Sequence, residues 1–186
     1  MSALRRPFGS PHRAGDLFTP AELLRYATFA AAEVRAGEYL VSFDEARRWH
    51  RRLYRDRQLD LWLISWLPSQ GTQLHDHGGS GGAFTVLTGT LSEAIVRPGT
   101  GNGEAVLLER RRPVGAGVAF GAHYVHDVRN LSGSPAVSVH AYSPPLTSMN
   151  FYDLGSDGGA TGGLRLVASM PTEDPEPELP RTTFAA

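Results

Sequence analysis

From residue 59 onward the chain is cut into short apolar runs by turn clusters. That punctuation constrains its fold more than any other feature. The runs read "LDLWLISWL", "TQLHDH", "AFTVLTG", "TLSEAIVRP", "EAVLLERRRPV", "GVAFGA", "HDVRN", "AVSVHAYSP" and "NFYDL", with "PGTGNGE" and "NLSGSP" as turn clusters among them. β-Branched and aromatic residues are frequent in the runs, and several alternate in polarity. Many short strands at close spacing argue for an antiparallel sandwich or barrel and against a βαβ fold. "TGT" at 88–90 reads as a tight hairpin turn.

The N-terminal third is different. Residues 1–18 read as a loose arm. In "TPAELLRYATFAAAEVRAG", Thr19 and Glu22 make a capping box, Pro20 takes the first helical position and Gly37 can close the end. A second box, Ser42 with Glu45, opens "SFDEARRWHRRLYRD" and predicts a short, very basic helix. The expected fold is mainly β: an antiparallel β-barrel with N-terminal helices packed on it. One domain spans residues 19–169, with the helices in 19–57 and the barrel in 58–169. The Pro- and Glu-rich tail, 170–186, is expected to be disordered.

Composition removes several function classes. A net charge of −1 leaves no footprint for nucleic acid or membrane surfaces at chain level. With no cysteine, disulfides, zinc–thiolate sites and cysteine nucleophiles are excluded. Neither a secretory h-region nor an apolar run near the ~18 residues of a membrane span is present. A cytoplasmic protein, monomeric by preference, is expected.

The histidines carry the chemistry. On a strand, alternate side chains share a face, so His75 and His77 of "LHDH" point one way and Asp76 the other. That is how a strand offers two nitrogens to one metal ion. Many H-x-H metal sites place a carboxylate four or five residues on, but here glycines occupy that stretch. A third ligand has to come from a distant strand. His126 is the best placed, and His123, three residues before it in "HYVH", competes. His12 in the arm is read as inert, and His50 in the basic segment as solvated. Further along lies a polar row: Ser138, His140 and Tyr142 in "SVHAY" stand at i, i+2 and i+4, on one face of a strand. Such a row inside a barrel needs partners or a ligand.

Together, "LHDH", "VHDVRN" and "SVHAYSPP" resemble the cysteine dioxygenases, thiol dioxygenases of the cupin superfamily, over about residues 45–153. The resemblance implies a cupin-type double-stranded β-helix. It implies Fe(II) as cofactor, held by His75, His77 and His126, and Ser138, His140 and Tyr142 as the row beside it. It further implies a substrate-binding arginine within "WHRRLYRDR": Arg52, with Arg51 and Arg55 as rivals. The rest of that basic segment is expected to coat the surface. In mammalian members a cysteine seven residues after the first ligand histidine is cross-linked to the tyrosine. Here that position is Gly82, and no thioether can form.

The residue types suit the implied reaction. Three neutral imidazoles leave a ferrous ion its full +2 charge, which favours an incoming thiolate. An arginine fork gives two parallel bonds to a substrate carboxylate. Tyr142 can donate to that carboxylate or to the oxygen being transferred, with His140 and Ser138 orienting it. The implied activity adds both atoms of O₂ to the sulfur of L-cysteine, giving cysteine sulfinate. A small thiol and O₂ are the only partners. The rivals are a dioxygenase for 3-mercaptopropionate and a metal-binding cupin without catalysis.

Overall fold

The computed structural model describes residues 16–98, 105–154, 163–172 and 174–175. Of the arm expected over 1–18, residues 1–15 with His12 lie outside the described residues, as do tail residues 173 and 176–186, while Phe18 is buried in the core and its N–H donates to Ser143 Oγ. Among the described residues one α-helix, α1 (Pro20–Arg35), precedes eleven strands: β1 (Trp49–Arg55), β2 (Asp60–Trp66), β3 (His75–Asp76), β4 (Gly81–Thr88), β5 (Thr90–Pro98), β6 (Ala105–Pro113), β7 (Gly117–Phe120), β8 (His126–Arg129), β9 (Ala136–Ser143), β10 (Ser148–Leu154) and β11 (Leu164–Pro171).

α1 forms as its sequence dictates. The Thr19 hydroxyl accepts from the Glu22 N–H, and the Glu22 carboxylate accepts from the Thr19 N–H at 2.8 Å. Leu23, Tyr26, Ala27, Ala30, Ala31 and Val34 make one buried stripe at helical spacing. The three alanines keep the helix close to the sheet beneath.

The second expected helix is absent. Asp44, not Ser42, supplies the local cap: its carboxylate accepts from the N–H groups of Ala46 and Arg47. That closes a single Asx turn and goes no further. From Trp49 the chain pairs with β2 as an edge strand. Backbone bonds to β2 and burial of Leu53 in the core cluster shared with α1 outweigh the local helix signal.

All strand pairs among the described residues are antiparallel. Sheet A runs β1-β2-β9-β4-β7 and sheet B runs β11-β10-β3-β8-β5-β6. "TGT" is not a hairpin. β4 belongs to sheet A and β5 to sheet B, so the chain turns a corner there and changes sheet. Gly89 makes the corner with φ +73°, and a Cβ on it would lie 2.5 Å from the Pro135 carbonyl oxygen. β11 carries the barrel through Pro171, two residues past the expected boundary.

Sheet A has two buried faces. Leu61, Leu63, Ala83, Val137, Val139 and Ala141 pack against α1. The opposite residues, Trp62, Ile64, Trp66, Phe84, Val86 and Tyr142, meet Leu91 and Val128 of sheet B. This inner cluster fills the space between the sheets. His140 lies opposite Trp62 in the β2–β9 ladder and stacks on Phe84, so the polar row faces the same interior.

Candidate metal centre

His75, His77 and His126 come together in that interior. Their candidate ligand nitrogens all lie within 4.8 Å of one another, and all three residues are buried. The β3–β8 ladder sets His75 directly opposite His126, and the period of two brings His77 to the same side. Asp76 points the other way, accepting from the Gly78 N–H, the Asn150 amide and the Tyr152 hydroxyl, the last at 2.6 Å. His123 is exposed and stands outside the cluster.

The hydrogen bonds behind the rings fix which nitrogens face inward. His75 Nδ1 donates to the Gln73 carbonyl at 2.7 Å. His126 Nδ1 donates to the Glu93 carboxylate at 2.9 Å. In each ring this leaves Nε2 as the nitrogen available to a metal ion. Nε2 of His75 and Nε2 of His77 are buried with no hydrogen-bond partner among the described residues. Orphaned buried nitrogens are costly unless something binds them. Burial foremost, then the neighbouring histidines, holds His75 and His77 well below the ordinary imidazole pKa. Both are therefore uncharged, the form that binds a metal. An ion with nitrogen preference fits this set, and His75, His77 and His126 would hold it.

Glu93 was not singled out from sequence. Burial alone would raise its pKa, but bonds from His126 and Arg112 outweigh that and hold the carboxyl below its ordinary value. Its signal was present: in "TLSEAIVRP" it shares a face with Leu91 and Ile95, both buried, so a charge stands on an apolar phase.

The polar row is connected as its spacing predicts. Ser138 Oγ lies 2.8 Å from His140 Nε2, and His140 Nδ1 lies 3.2 Å from the Tyr142 hydroxyl. Trp66 Nε1 donates to Ser138 Oγ at 2.9 Å. That indole, a donor only, sets the direction of the row. Ser138 accepts from Trp66 and donates to His140 Nε2. His140 Nδ1 then donates to Tyr142, whose own hydrogen is directed onward. The reverse order would bury the Ser138 hydroxyl hydrogen without an acceptor. Burial, then His126, lowers the His140 pKa to about 3, so the ring is neutral. The Tyr142 ring lies 4.9 Å from that of His77, centroid to centroid, which sets the row beside the three-imidazole cluster.

Gly82 has no room for a side chain. A Cβ there would sit 2.5 Å from the Phe120 ring and 3.1 Å from Tyr142 Cδ1. Phe120 in turn stacks on His77 at 5.1 Å. An aromatic wall, not open space, lies between Gly82 and the histidines.

Of the three arginines, the structure separates one from the other two. Arg51 lies over the Tyr39 ring at 5.6 Å and opposite Leu63, on the helix side. Arg52 lies over Trp62 at 4.4 Å, with Nε 3.2 Å from Asp60. Arg55 reaches the other Asp60 oxygen at 3.1 Å. A period of two alone would put residues 52 and 55 on opposite faces. The register shift between Arg52 and Tyr54 reverses the phase and gathers both on Asp60. Asp60 is fully buried and faces Tyr142 across the β2–β9 ladder. The basic segment is more than a coat with one inward arginine: Arg48 is also buried, over Trp66, and donates to the Gly71 carbonyl. His50, expected to be solvated, is half-buried on β1, edge-on to Trp62 at 5.4 Å.

Fold and site together define a cupin-type barrel enclosing a three-imidazole centre that can hold a metal ion. Residues 24–155 match the cysteine dioxygenase type I family, and the chain belongs to that family. Human cysteine dioxygenase type 1 is 28% identical over 102 residues, covering 52% of this chain and 50% of that protein. The Danio rerio protein of the same name is 29% identical over 107 residues, with the same shares covered. The chain thus spans about half the length of the curated relatives it matches. Oxalate oxidase in complex with the substrate analogue glycolate superimposes with a TM-score of 0.51 at 14% identity, covering 64% of each chain, a likeness of fold alone. No helix among the described residues is long and apolar enough to cross a membrane.

Proposed function

We propose that the protein is a non-haem Fe(II) thiol dioxygenase whose substrate is L-cysteine and whose product is cysteine sulfinate. The observation that supports this most is the cluster of three buried imidazoles with two orphaned Nε2 atoms and, among the described residues, no carboxylate in the cluster. Fe(II) held by His75, His77 and His126 would supply the redox chemistry that joins a thiol to O₂. The overall balance is RSH + O₂ → RSO₂H: sulfur gives up four electrons, both oxygen atoms end on it, and no external reductant enters.

The chain's own residues bind and orient. Arg52, carried on Trp62 and braced by Asp60, takes the substrate carboxylate, with Arg55 beside it. Tyr142, oriented through Trp66, Ser138 and His140, donates its hydroxyl hydrogen to that carboxylate or to the transferred oxygen. Phe120, Phe84 and Trp62 exclude water from the interior. A reducing cytoplasm, where free thiols persist, is the setting proposed.

An oxygen electrode tests the reading. Iron-loaded protein should consume O₂ in proportion to added L-cysteine and release one sulfinate per O₂. Preference by kcat/KM for 3-mercaptopropionate would reassign the substrate. No thiol-dependent uptake with any small thiol would leave a metal-binding barrel without catalysis.

A further inference from the structure

A carboxylate does serve this centre, one residue removed from it. Glu93 is fully buried, and its two oxygens are divided between different partners. Oε1 accepts from His126 Nδ1 at 2.9 Å and from the Tyr124 hydroxyl at 3.0 Å. Oε2 accepts from Arg112 Nε at 2.8 Å and Nη2 at 2.6 Å. The ladders make the arrangement rigid. β5 pairs with β8 on one side and β6 on the other, which brings Glu93 and His126 together and sets Glu93 two residues out of register with Arg112. His126 differs in this from the other two histidines. His75 leans on a neutral backbone carbonyl, and no hydrogen bond to a His77 ring nitrogen is seen among the described residues.

A histidine that donates to a carboxylate is a stronger electron donor through its other nitrogen, because the N–H bond is polarised towards the anion. Arg112 acts in the opposite sense. By binding Oε2 twice, it draws charge off the carboxylate and limits how much reaches the imidazole. We propose that Glu93 is a positioning residue that fixes the Nε2 lone pair of His126 on the metal and raises its donor strength, and that Arg112 sets how far. This rests on the reading of His126 as a metal ligand. It gives a site without a ligating carboxylate a graded share of negative charge. The +2 charge that attracts a thiolate is thereby tempered at one ligand, while no coordination position is occupied.

The test uses Fe(II) affinity of the apoprotein, by anaerobic competition with a chromophoric chelator, and the Fe(III)/Fe(II) midpoint potential, both without thiol. Glu93→Gln should bind Fe(II) about 10- to 100-fold more weakly and shift the potential upward. Arg112→Gln, which leaves the full charge facing His126, should keep Fe(II) affinity within about threefold of wild type or tighten it, and shift the potential downward. Tyr124→Phe, which frees Oε1 for His126 alone, should shift it downward by less. Opposite shifts in Glu93→Gln and Arg112→Gln distinguish charge tuning from mere bracing, which would weaken metal binding in both. The proposal is overturned if both variants shift the same way, or if Glu93→Gln matches wild type in affinity and potential. Should Glu93→Gln fail to fold by circular dichroism, unchanged potentials in Arg112→Gln and Tyr124→Phe overturn it equally. A wild-type protein that takes up no iron defeats the metal centre as well. Iron binding without thiol oxidation leaves this inference standing and removes only the proposed substrate chemistry.

Discussion

His75 and His126 stand directly opposite one another across the β3–β8 ladder, with ring centroids 4.8 Å apart. Each donates its Nδ1 hydrogen backwards, to a carbonyl or a carboxylate, and presents Nε2 forwards. The pairing of two short strands therefore does most to build the centre, and His77 completes it from the next inward position.

Removing one of these nitrogens should abolish metal binding outright. His126→Ala is expected to lose stoichiometric iron and all thiol-dependent O₂ uptake. Ser138→Ala, outside the cluster, should keep its iron. Metal content of the purified proteins checks both. Iron bound at wild-type stoichiometry in His126→Ala would remove it from the ligand set.

The arginines should separate by kinetics. Arg52→Met removes a charge-assisted pair worth about 1.5–3 kcal/mol, so KM for cysteine should rise roughly 10- to 100-fold. Arg55→Met should raise it less. Arg51→Met, on the helix side, should leave kcat/KM within about twofold of wild type. A larger effect at Arg51 than at Arg52 would reverse the assignment.

Trp66 gives the polar row its direction, so the row should fail at either end. Ser138→Ala leaves the Trp66 N–H and His140 Nε2 without partners and should cost about 1–3 kcal/mol of stability. It should also lower kcat, with KM for cysteine little changed. Tyr142→Phe should lower kcat further with a smaller stability loss. Chemical denaturation and steady-state kinetics on the same preparations separate the two effects.

Acid should unfold the metal-free protein early. His75, His77 and His140 have folded pKa values depressed by burial, that of His140 to about 3, against an ordinary 6.5. Between those limits the unfolded chain binds more protons than the folded one, so stability falls as pH falls from about 6.5 towards 3. Each such histidine adds a slope of up to about 1.4 kcal/mol per pH unit. Urea denaturation of apoprotein from pH 7.5 to 4.5 measures it, and a flat profile contradicts the buried neutral state. Saturating Fe(II) should raise stability at pH 7.5, because only the folded state holds the ligands together.

Restoring the missing cysteine should not restore a cross-link. In Gly82→Cys the new Cβ meets the Phe120 ring, an overpacking expected to cost about 1–3 kcal/mol. Gly82→Cys with Phe120→Leu should recover part of that stability and bring the sulfur beside Tyr142. Intact mass spectrometry after turnover should show loss of two hydrogens in the double variant and not in the single one.

The site was more legible in the sequence than the fold around it. H-x-H and S-x-H-x-Y reveal themselves because a period of two needs only that the segment be extended. Residues 42–57 misled because Asp44 makes a helix-like cap that closes after one turn, and only pairing with β2 decides the conformation beyond it. Arg52 and Arg55 could not be assigned together, since the irregularity that unites them belongs to the pairing of two strands and leaves no mark in one. "TGT" has hairpin chemistry but serves a corner, because which sheet receives β5 depends on partners far along the chain. Glu93 was visible as a charge in an apolar phase, but its partner His126 lies on another strand.

The corner at Gly89 has a consequence for the order of assembly. From β2 to β5 successive strands are dealt to alternate sheets, and β3 can be held in place only after β8 and β10 have arrived to flank it. The pairings that bring the histidine cluster together are thus non-local, and such contacts form late. A metal ion held by these three histidines would therefore be captured by a nearly finished barrel, a seal on the completed structure and not a seed for it.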